Sequence, residues 1–429
     1  MFWRKGRKVV CLGLDGTPYS LLTHLIDRGV MPNTKSIVER GTLVESTSSI
    51  PEISSVAWTT IFTGKNPAEH GIFGFVDLVP NSYRIRFPSF HDVKAPALWE
   101  RLTEQKRRSI VVNVPATYPA KPLYGRLVAG FVAIDLKKAC WPVEWADELE
   151  RRGYIIDIEV GDYEGRLGAM IEALHESLEI RSRVILDLFD REKFDLFWAV
   201  ITETDRLHHF MFDAAYDESH PLHSGFVELY ARIDRLVGEL AKRMGSRTSF
   251  FAFSDHGFCR LKREVNINAW LQQNGYLEFE RTPPESLEDI AHGSRAFALD
   301  PARIFVNLKG KFPKGSVERG DRDRLVDELA GKLISIADED GEPVIARVFR
   351  REEIYDGPLA DRACDLVLIA RPGYDLKGRI RADSVFLRSH FTGMHTRHDA
   401  FFLSAQPMRL DEPFGIAQIY GILAEELGL

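Results

Sequence analysis

Residues 49–71 read SIPEISSVAWTTIFTGKNPAEHG. A proline near the start is followed by an apolar run at helical spacing that includes Val56 and Phe62. This pattern predicts a helix that begins at Ser54 or Ser55. A hydroxyl at that place is either a simple N-cap or a nucleophile, because the dipole and the free N–H groups of a helix N-terminus favour an anion. Whether this hydroxyl is an N-cap or a nucleophile depends on which other functional groups the rest of the chain provides.

The composition limits the kinds of partner that this chain can bind. Its 429 residues include 56 Lys and Arg against 63 Asp and Glu, which gives a net charge of −7. A face that binds a nucleic-acid duplex needs concentrated Lys and Arg, so such a partner is disfavoured. Phosphate chemistry would then need local positive charge, and metal ions are a ready source of it. The four cysteines form no CxxC pair, which is typical of buried thiols in a reducing compartment.

The N-terminal residues, MFWRKGRK, are basic but are followed by no signal-peptide apolar region and no small-residue cleavage site. No apolar run along the sequence is long enough to cross a bilayer. We therefore expect a cytoplasmic protein without a membrane partner. The sequence leaves the oligomeric state open.

Short apolar segments alternate with amphipathic helical patterns along the chain. Segments that are apolar almost throughout, as buried parallel strands are, lie at residues 8–14, 109–114, 194–201, 248–253, 365–370 and 400–403. Their alternation with helices predicts an α/β fold with a mostly parallel, doubly wound sheet and helices on both faces. Sheets of this kind bind ligands at the carboxyl ends of their strands.

The predicted catalytic α/β core consists of three segments, residues 1–118, 186–262 and 361–429. Between them, residues 119–185 contain Gly and Pro turns, aromatic residues and a long charged helix. Residues 263–360 combine short strands with one helix. We expect these two segments to be inserted caps that line the substrate pocket.

Acidic and histidine side chains follow three of the predicted strands. The candidates are Asp15, Asp205 with His209, and Asp255 with His256, while His395 lies just before another strand. Asp205 and His209 are four residues apart, so they project from one face if their segment is helical. Each motif alone is weak, and Asp15 by itself is equally compatible with a helix cap. Their joint placement indicates one site.

The chemistry of these groups points to metal ions. Carboxylate oxygens and imidazole nitrogens together suit zinc or a similar divalent ion. Six such groups and one hydroxyl are enough to hold two ions. A two-ion site can lower the pKa of a bound hydroxyl and stabilise an in-line phosphoryl displacement. Ser54, at a helix N-terminus that faces the strand ends, meets the requirement for the nucleophile.

This order of residues resembles the alkaline phosphatase superfamily. It is most similar to the type I phosphodiesterase and nucleotide pyrophosphatase branch, over roughly residues 8–405. The nucleophile segment of that branch is matched, in spacing and in residues, by Pro51-x-x-Ser54, Thr63-Gly64 and Pro67-x-x-His70-Gly71. The register from Thr63-Gly64 places Ser54, rather than Ser55, at the nucleophile position, where the branch usually has Thr. A Ser alkoxide is chemically equivalent.

The resemblance implies an alkaline-phosphatase-like fold with two divalent ions, zinc first, and Mn or Mg as alternatives. One ion would be bound by Asp15, Ser54, Asp255 and His256. The other would be bound by Asp205, His209 and His395. The implied reaction is hydrolysis of a small-molecule phosphoester, with a nucleotide as one candidate, through attack by Ser54 and a phospho-enzyme intermediate.

One departure from the branch leaves the reaction open. Diester-cleaving relatives usually carry an Asn shortly after the His-Gly pair, and this chain has Gly74-Phe75 there. Lys65 is a candidate substitute that would contact a phosphoryl oxygen, against the alternative of a solvated lysine. A phosphomonoesterase or phosphomutase of the same superfamily is the alternative activity, and a catalytically silent metal-binding protein is a further one. His208 matches no ligand position and is expected to pack or to support a ligand.

Overall fold

The computed structural model describes residues 7–382 and 384–429. Its strands are β1 (Lys8–Leu14), β2 (Thr42–Ser46), β3 (Asp77–Leu78), β4 (Ile85–Arg86), β5 (Ser109–Val114), β6 (Gly125–Ala129), β7 (Cys140–Trp141), β8 (Leu196–Ile201), β9 (Thr248–Phe253), β10 (Gly257–Arg260), β11 (Arg263–Asn266), β12 (Ala296–Leu299), β13 (Arg303–Val306), β14 (Ile345–Arg350), β15 (Leu366–Ala370), β16 (Tyr374–Lys377), β17 (Phe386–Leu387), β18 (Gly393–Thr396) and β19 (Ala400–Ser404).

The α-helices are α1 (Tyr19–Asp27), α2 (Pro32–Val38), α3 (Ser54–Thr63), α4 (Pro67–His70), α5 (Leu98–Glu104), α6 (Leu136–Ala139), α7 (Trp145–Arg151), α8 (Leu167–Arg191), α9 (Glu203–Met211), α10 (His223–Arg243), α11 (Ile267–Gln273), α12 (Arg322–Leu333), α13 (Arg351–Ile354) and α14 (Ala417–Leu427). The chain folds into two compact units. Unit 1 takes in the chain up to Lys65, Ser89–Phe258 and His395–Leu429, and unit 2 takes in Asn66–Pro88 and Cys259–Met394.

Unit 1 is built on an eight-stranded sheet in the order β2-β19-β9-β1-β8-β5-β6-β7. The five central strands, from β9 to β6, pair in parallel. At the two edges, β2, β19 and β7 pair antiparallel. Strands β5 and β8 are buried at every position, as their mostly apolar sequences predict. The predicted α/β fold with a mostly parallel sheet is confirmed.

Residues 119–185 lie in unit 1 and contribute more to its sheet than their sequence indicates. Their strands β6 and β7 extend the sheet beyond β5. Both strands are short and bounded by turns, so they give only a weak apolar signal. The long helix predicted in this segment is α8, which packs against α9 and α10.

Unit 2 contains an antiparallel sheet in the order β12-β13-β15-β14 and a smaller one in the order β16-β11-β17. Residues 263–360 lie within this unit, together with residues 66–88 and 361–394. An aromatic cluster joins the β3–β4 segment to β12, because Tyr83 packs on both Phe297 and Phe312. The Tyr83 hydroxyl donates a 2.7 Å hydrogen bond to Oδ1 of Asn307.

Within residues 7–382 and 384–429, no helix combines the length and the apolar content that a membrane span requires. All four cysteines are free thiols. Cys11, Cys140 and Cys364 are buried and Cys259 is partly exposed, which agrees with the absence of CxxC pairs.

Candidate metal centre

The fold brings the seven candidate residues from distant parts of unit 1 to the carboxyl edge of its parallel strands. Asp15 follows β1, Ser54 is the first residue of α3, Asp205 and His209 lie on α9 just after β8, Asp255 and His256 follow β9, and His395 lies in β18. The helical spacing suggested for Asp205 and His209 is therefore present. Neighbouring parallel strands end at the same edge, which is why residues so far apart in sequence meet here.

The first cluster is fully inside the protein. Asp15, Asp255 and His256 are at most 2% exposed, and Ser54 is 5% exposed. Nε2 of His256 lies 3.3 Å from Oδ2 of Asp255 and 3.7 Å from Oδ1 of Asp15. The Ser54 hydroxyl lies 3.4 Å from the same Oδ1 and 3.3 Å from Nε2 of His256. Four potential ligand atoms thus surround one point.

The second cluster consists of Asp205, His209 and His395. Nε2 of His395 lies 3.2 Å from Oδ1 of Asp205 and 3.0 Å from Nε2 of His209. Nε2 of His209 lies 3.6 Å from the same carboxylate oxygen. The His209 and His395 side chains keep 19% and 16% of their surface exposed, so this cluster opens towards solvent. Nδ1 of His395 contacts the carbonyl oxygen of Glu52 at 3.1 Å, which orients its Nε2 inwards.

The two clusters are adjacent. The rings of His256 and His395 stack with their centroids 3.7 Å apart. Ligand atoms of Asp205, His256 and His395 all lie within 4.8 Å of one another, as do those of Asp15, Asp255 and His256. His256 therefore belongs to both groups and marks the boundary between them.

Two buried carboxyl groups of the first cluster have raised pKa values, and a bound cation would stabilise their charged forms. Burial, together with the negative charges of its carboxylate neighbours, raises the pKa of Asp15 well above its ordinary value. Burial likewise raises the pKa of Asp255 to about 7. Burial lowers the pKa of His256, which keeps its imidazole neutral. Buried carboxylates that resist ionisation are stabilised when a positive ion balances their charge.

The spacing of the donor atoms fits divalent ions. Bonds of 2.0–2.2 Å in tetrahedral geometry place ligand atoms about 3.3–3.6 Å apart. The distances within the two clusters run from 3.0 to 3.7 Å. Oδ2 of Asp255 is buried and accepts no hydrogen bond from the described residues, as a carboxylate oxygen reserved for an ion would be. The residues present therefore fit a binuclear metal site.

Two contacts that hold the carboxylates of Asp15 and Asp255 in place could not be predicted from the sequence. Nε1 of Trp58 donates a 3.1 Å hydrogen bond to Oδ2 of Asp15. Gly13 makes room for this indole, because a Cβ there would lie 2.3 Å from the Trp58 ring. Gly16, at φ +63°, turns the chain after β1 and donates its N–H to Oδ1 of Asp255 at 3.0 Å. The only sequence signal was the Leu-Asp-Gly turn after β1.

Lys65 and His208 occupy different places from the seven candidates. Lys65 is exposed and follows the C-terminal end of α3, whereas Ser54 begins that helix. The ten residues of α3 separate them by about 15 Å along the axis, so the structure does not bring Lys65 to the clusters. His208 is completely buried beside the site, and burial lowers its pKa to about 3.

Two Asp/His clusters at the carboxyl edge of a parallel sheet are an arrangement that suits a metal-dependent phosphohydrolase. A comparison with family profiles agrees. The profile of the Type I phosphodiesterase/nucleotide pyrophosphatase family matches residues 9–398, and the chain belongs to that family. No protein in a comparison with curated sequences matches the chain.

Solved structures with the same fold include two kinds of enzyme. Phosphonoacetate hydrolase from Sinorhizobium meliloti 1021, in complex with phosphonoformate, is 18% identical, with a TM-score of 0.65 over 99% of this chain and 96% of that one. An inactive variant of murine ectonucleotide pyrophosphatase/phosphodiesterase 5, in complex with AMP, is 16% identical, with a TM-score of 0.59 over 99% and 95%. At these identities the similarity establishes the fold.

We predict that Asp255→Asn lowers the metal content of the purified protein from about two ions per chain to about one. The amide keeps an oxygen that can accept the N–H of Gly16 but loses the negative charge that an ion needs. Elemental analysis after dialysis measures the ratio. Asp234→Asn is the matched control, because Asp234 is equally buried but accepts hydrogen bonds from Asn33 and Thr34 on α2. An unchanged metal content in Asp255→Asn would remove Asp255 from the ligand set.

Proposed function

We propose that the protein is a two-metal phosphodiesterase that acts through Ser54. One observation carries the proposal. The Ser54 hydroxyl lies 3.3–3.4 Å from ligand atoms of both Asp15 and His256, at the inner wall of the first cluster. A hydroxyl that served only as a helix cap would bond to backbone N–H groups of α3. Among the described residues, the partners of the Ser54 hydroxyl are instead the side chains of Asp15 and His256.

The N-terminus of α3 suits an anionic substrate. The residue before the helix, Ile53, offers no side-chain hydrogen bond to the first turn. The first N–H groups of an α-helix have no partners within the helix, and the helix dipole adds partial positive charge there. A phosphoryl group transferred to Ser54 would therefore lie against this helix end.

The proposed reaction has two displacements. The Ser54 oxygen attacks phosphorus, an O–P bond forms, and the alcohol of the ester leaves with the electrons of its own O–P bond and gains a proton. A water molecule then attacks the phosphoserine and restores the Ser54 hydroxyl. Two divalent ions would supply the positive charge that favours the Ser54 alkoxide and stabilises charge on the phosphoryl oxygens.

Asp15, Asp255 and His256 would hold one ion, and Asp205, His209 and His395 the other. Zinc is the ion we propose, since mixed carboxylate and imidazole donors at tetrahedral spacing favour it over magnesium, which prefers six oxygen ligands. The second set has three side chains and is the more exposed one. A catalytic zinc site keeps its fourth position for water or substrate.

We propose a small phosphodiester as the substrate, a nucleotide derivative being one candidate. Membership of the family and the AMP bound to one structural neighbour support this choice. Another neighbour binds phosphonoacetate, also a small molecule with a tetrahedral phosphorus group.

The test compares hydrolysis of bis-p-nitrophenyl phosphate and p-nitrophenyl phosphate by protein loaded with two zinc ions. We expect the diester to be cleaved with the higher kcat/KM. Preference for the monoester would instead make the enzyme a phosphatase, in line with Gly74-Phe75 at the position of the missing Asn. Cleavage of neither ester by protein that holds both ions would overturn the proposal in favour of a mutase or a silent binding protein.

A further inference from the structure

Helix α9 presents two neighbouring pairs of side chains at i,i+4 spacing. Asp205 and His209 form one pair and contribute to the second cluster. Thr204 and His208 form the other, one residue earlier on the helix, and both are completely buried. Residues four apart lie above one another on a helix, so the second pair forms a stripe beside the first.

The Thr204–His208 pair binds the turn that carries the first cluster. The Thr204 hydroxyl donates a 2.6 Å hydrogen bond to the carbonyl oxygen of Asp15. Nδ1 of His208 donates a 3.0 Å hydrogen bond to the next carbonyl oxygen, that of Gly16. The N–H of Gly16 in turn donates to Oδ1 of Asp255. Helix α9, which carries Asp205 and His209 of the second cluster, is thus hydrogen-bonded to the Asp15–Gly16 turn, which holds Asp15 and Asp255 of the first cluster.

The opposite nitrogen of His208 is held as well. Because a carbonyl oxygen only accepts, Nδ1 carries the proton, and Nε2 of the neutral ring accepts from the hydroxyl of Tyr230 at 2.8 Å. Tyr230 lies on α10, and its oxygen accepts from the hydroxyl of Thr17 at 3.0 Å. The His208 ring also stacks on Tyr230 and on Phe226. Both ring nitrogens therefore have partners, and the ring packs against two aromatic side chains of α10.

We propose that His208 is a positioning residue that sets the spacing between the two metal clusters, by fixing α9 to the Asp15–Gly16 turn. The inference rests on the two-ion site of the proposed function. Groups that orient metal ligands without touching the ion are worth about 10–100-fold in metal affinity. The hydrogen bonds of His208 go to the carbonyl oxygen of Gly16 and to the hydroxyl of Tyr230, so it acts on the ligands through the backbone of α9 and of the Asp15–Gly16 turn.

The experiment measures ion binding to metal-free protein by calorimetric titration with Zn²⁺. His208→Phe is expected to weaken binding of one of the two ions by about ten-fold or more relative to wild type. His175→Phe is the control, because Nε2 of His175 contacts the carbonyl of Gly225 at 3.0 Å and so joins α8 to α10 rather than α9 to the Asp15–Gly16 turn. His208→Asn, whose amide can reproduce the Nδ1 donor, is expected to recover part of the loss, which a general packing defect would not allow.

Tyr230→Phe serves if His208→Phe does not fold, since it removes one oxygen atom and keeps the stacked rings. Tyr230→Phe is expected to weaken the binding of the same ion, but by a smaller factor than His208→Phe. If His208→Phe, or Tyr230→Phe in its place, binds each of the two ions as tightly as the His175→Phe control does, the inference about His208 is overturned. The proposed function would not be affected by that result. Two-ion binding by a wild-type protein that cleaves neither ester would overturn only the proposed function. A wild-type protein that binds fewer than two ions would overturn both.

Discussion

Ser54→Ala is expected to reduce kcat for phosphoester hydrolysis by about a thousand-fold or more, while about two metal ions stay bound. The substitution removes the oxygen that would form the bond to phosphorus. It leaves Asp15, Asp255 and His256 at their places, because none of the three depends on the Ser54 hydroxyl for its position. Steady-state kinetics and elemental analysis on the same preparation separate the loss of a nucleophile from the loss of an ion.

Two further variants make this result specific. Ser55→Ala is the control, since Ser55 is the next hydroxyl on α3 and its Oγ has no hydrogen-bond partner among the described residues. It should retain most of the activity. Ser54→Thr keeps a hydroxyl at the same place and should retain far more activity than Ser54→Ala. Full activity in Ser54→Ala would show that Ser54 is not the nucleophile, and loss of an ion in that variant would assign it a binding role instead.

The grouping of the candidate ligands could be predicted because its signals are local. Asp15 and Asp255 each follow a strongly apolar segment, so the strand ends can be located without knowledge of the fold. Asp205 and His209 have helical spacing within one short segment. Once the strands are taken as parallel, these ends must share one edge. The order of these motifs along the chain then indicates the type I phosphodiesterase/nucleotide pyrophosphatase family.

The supports of the site could not be predicted, because they depend on contacts between residues far apart in sequence. Trp58 gives no sign in its own segment that it bonds to Asp15, and Tyr230 resembles any other aromatic residue on the buried face of a helix. Lys65 was suggested by the sequence as a contact to a phosphoryl oxygen in place of the missing Asn. It follows the C-terminal end of α3, about 15 Å along the helix axis from Ser54, which its position in the sequence does not reveal.

A buried ion pair at the start of α9 was also hidden from the sequence. Arg181, on α8, and Glu203, the first residue of α9, are 1% and 2% exposed and lie 3.0 Å apart. Arg181 also donates to the hydroxyl of Tyr154 and to two backbone carbonyls, and Ser177 donates to Glu203. Glu203 precedes Asp205 by two residues, so this network fixes the helix that carries ligands of the second cluster.

Arg181→Met is expected to destabilise the protein by about 3–5 kcal/mol, because it leaves the Glu203 carboxylate buried without its partner. The readout is the urea midpoint at unchanged m-value, with zinc at saturation. The double variant Arg181→Met/Glu203→Met should lose less free energy of unfolding than Arg181→Met, since it leaves no unpaired charge in the interior. Arg152→Met, which breaks pairs with Glu148 and Asp187 on the surface, should cost about 1 kcal/mol or less. A double variant no more stable than Arg181→Met would mean that lost packing, rather than the unpaired carboxylate, is the dominant cost.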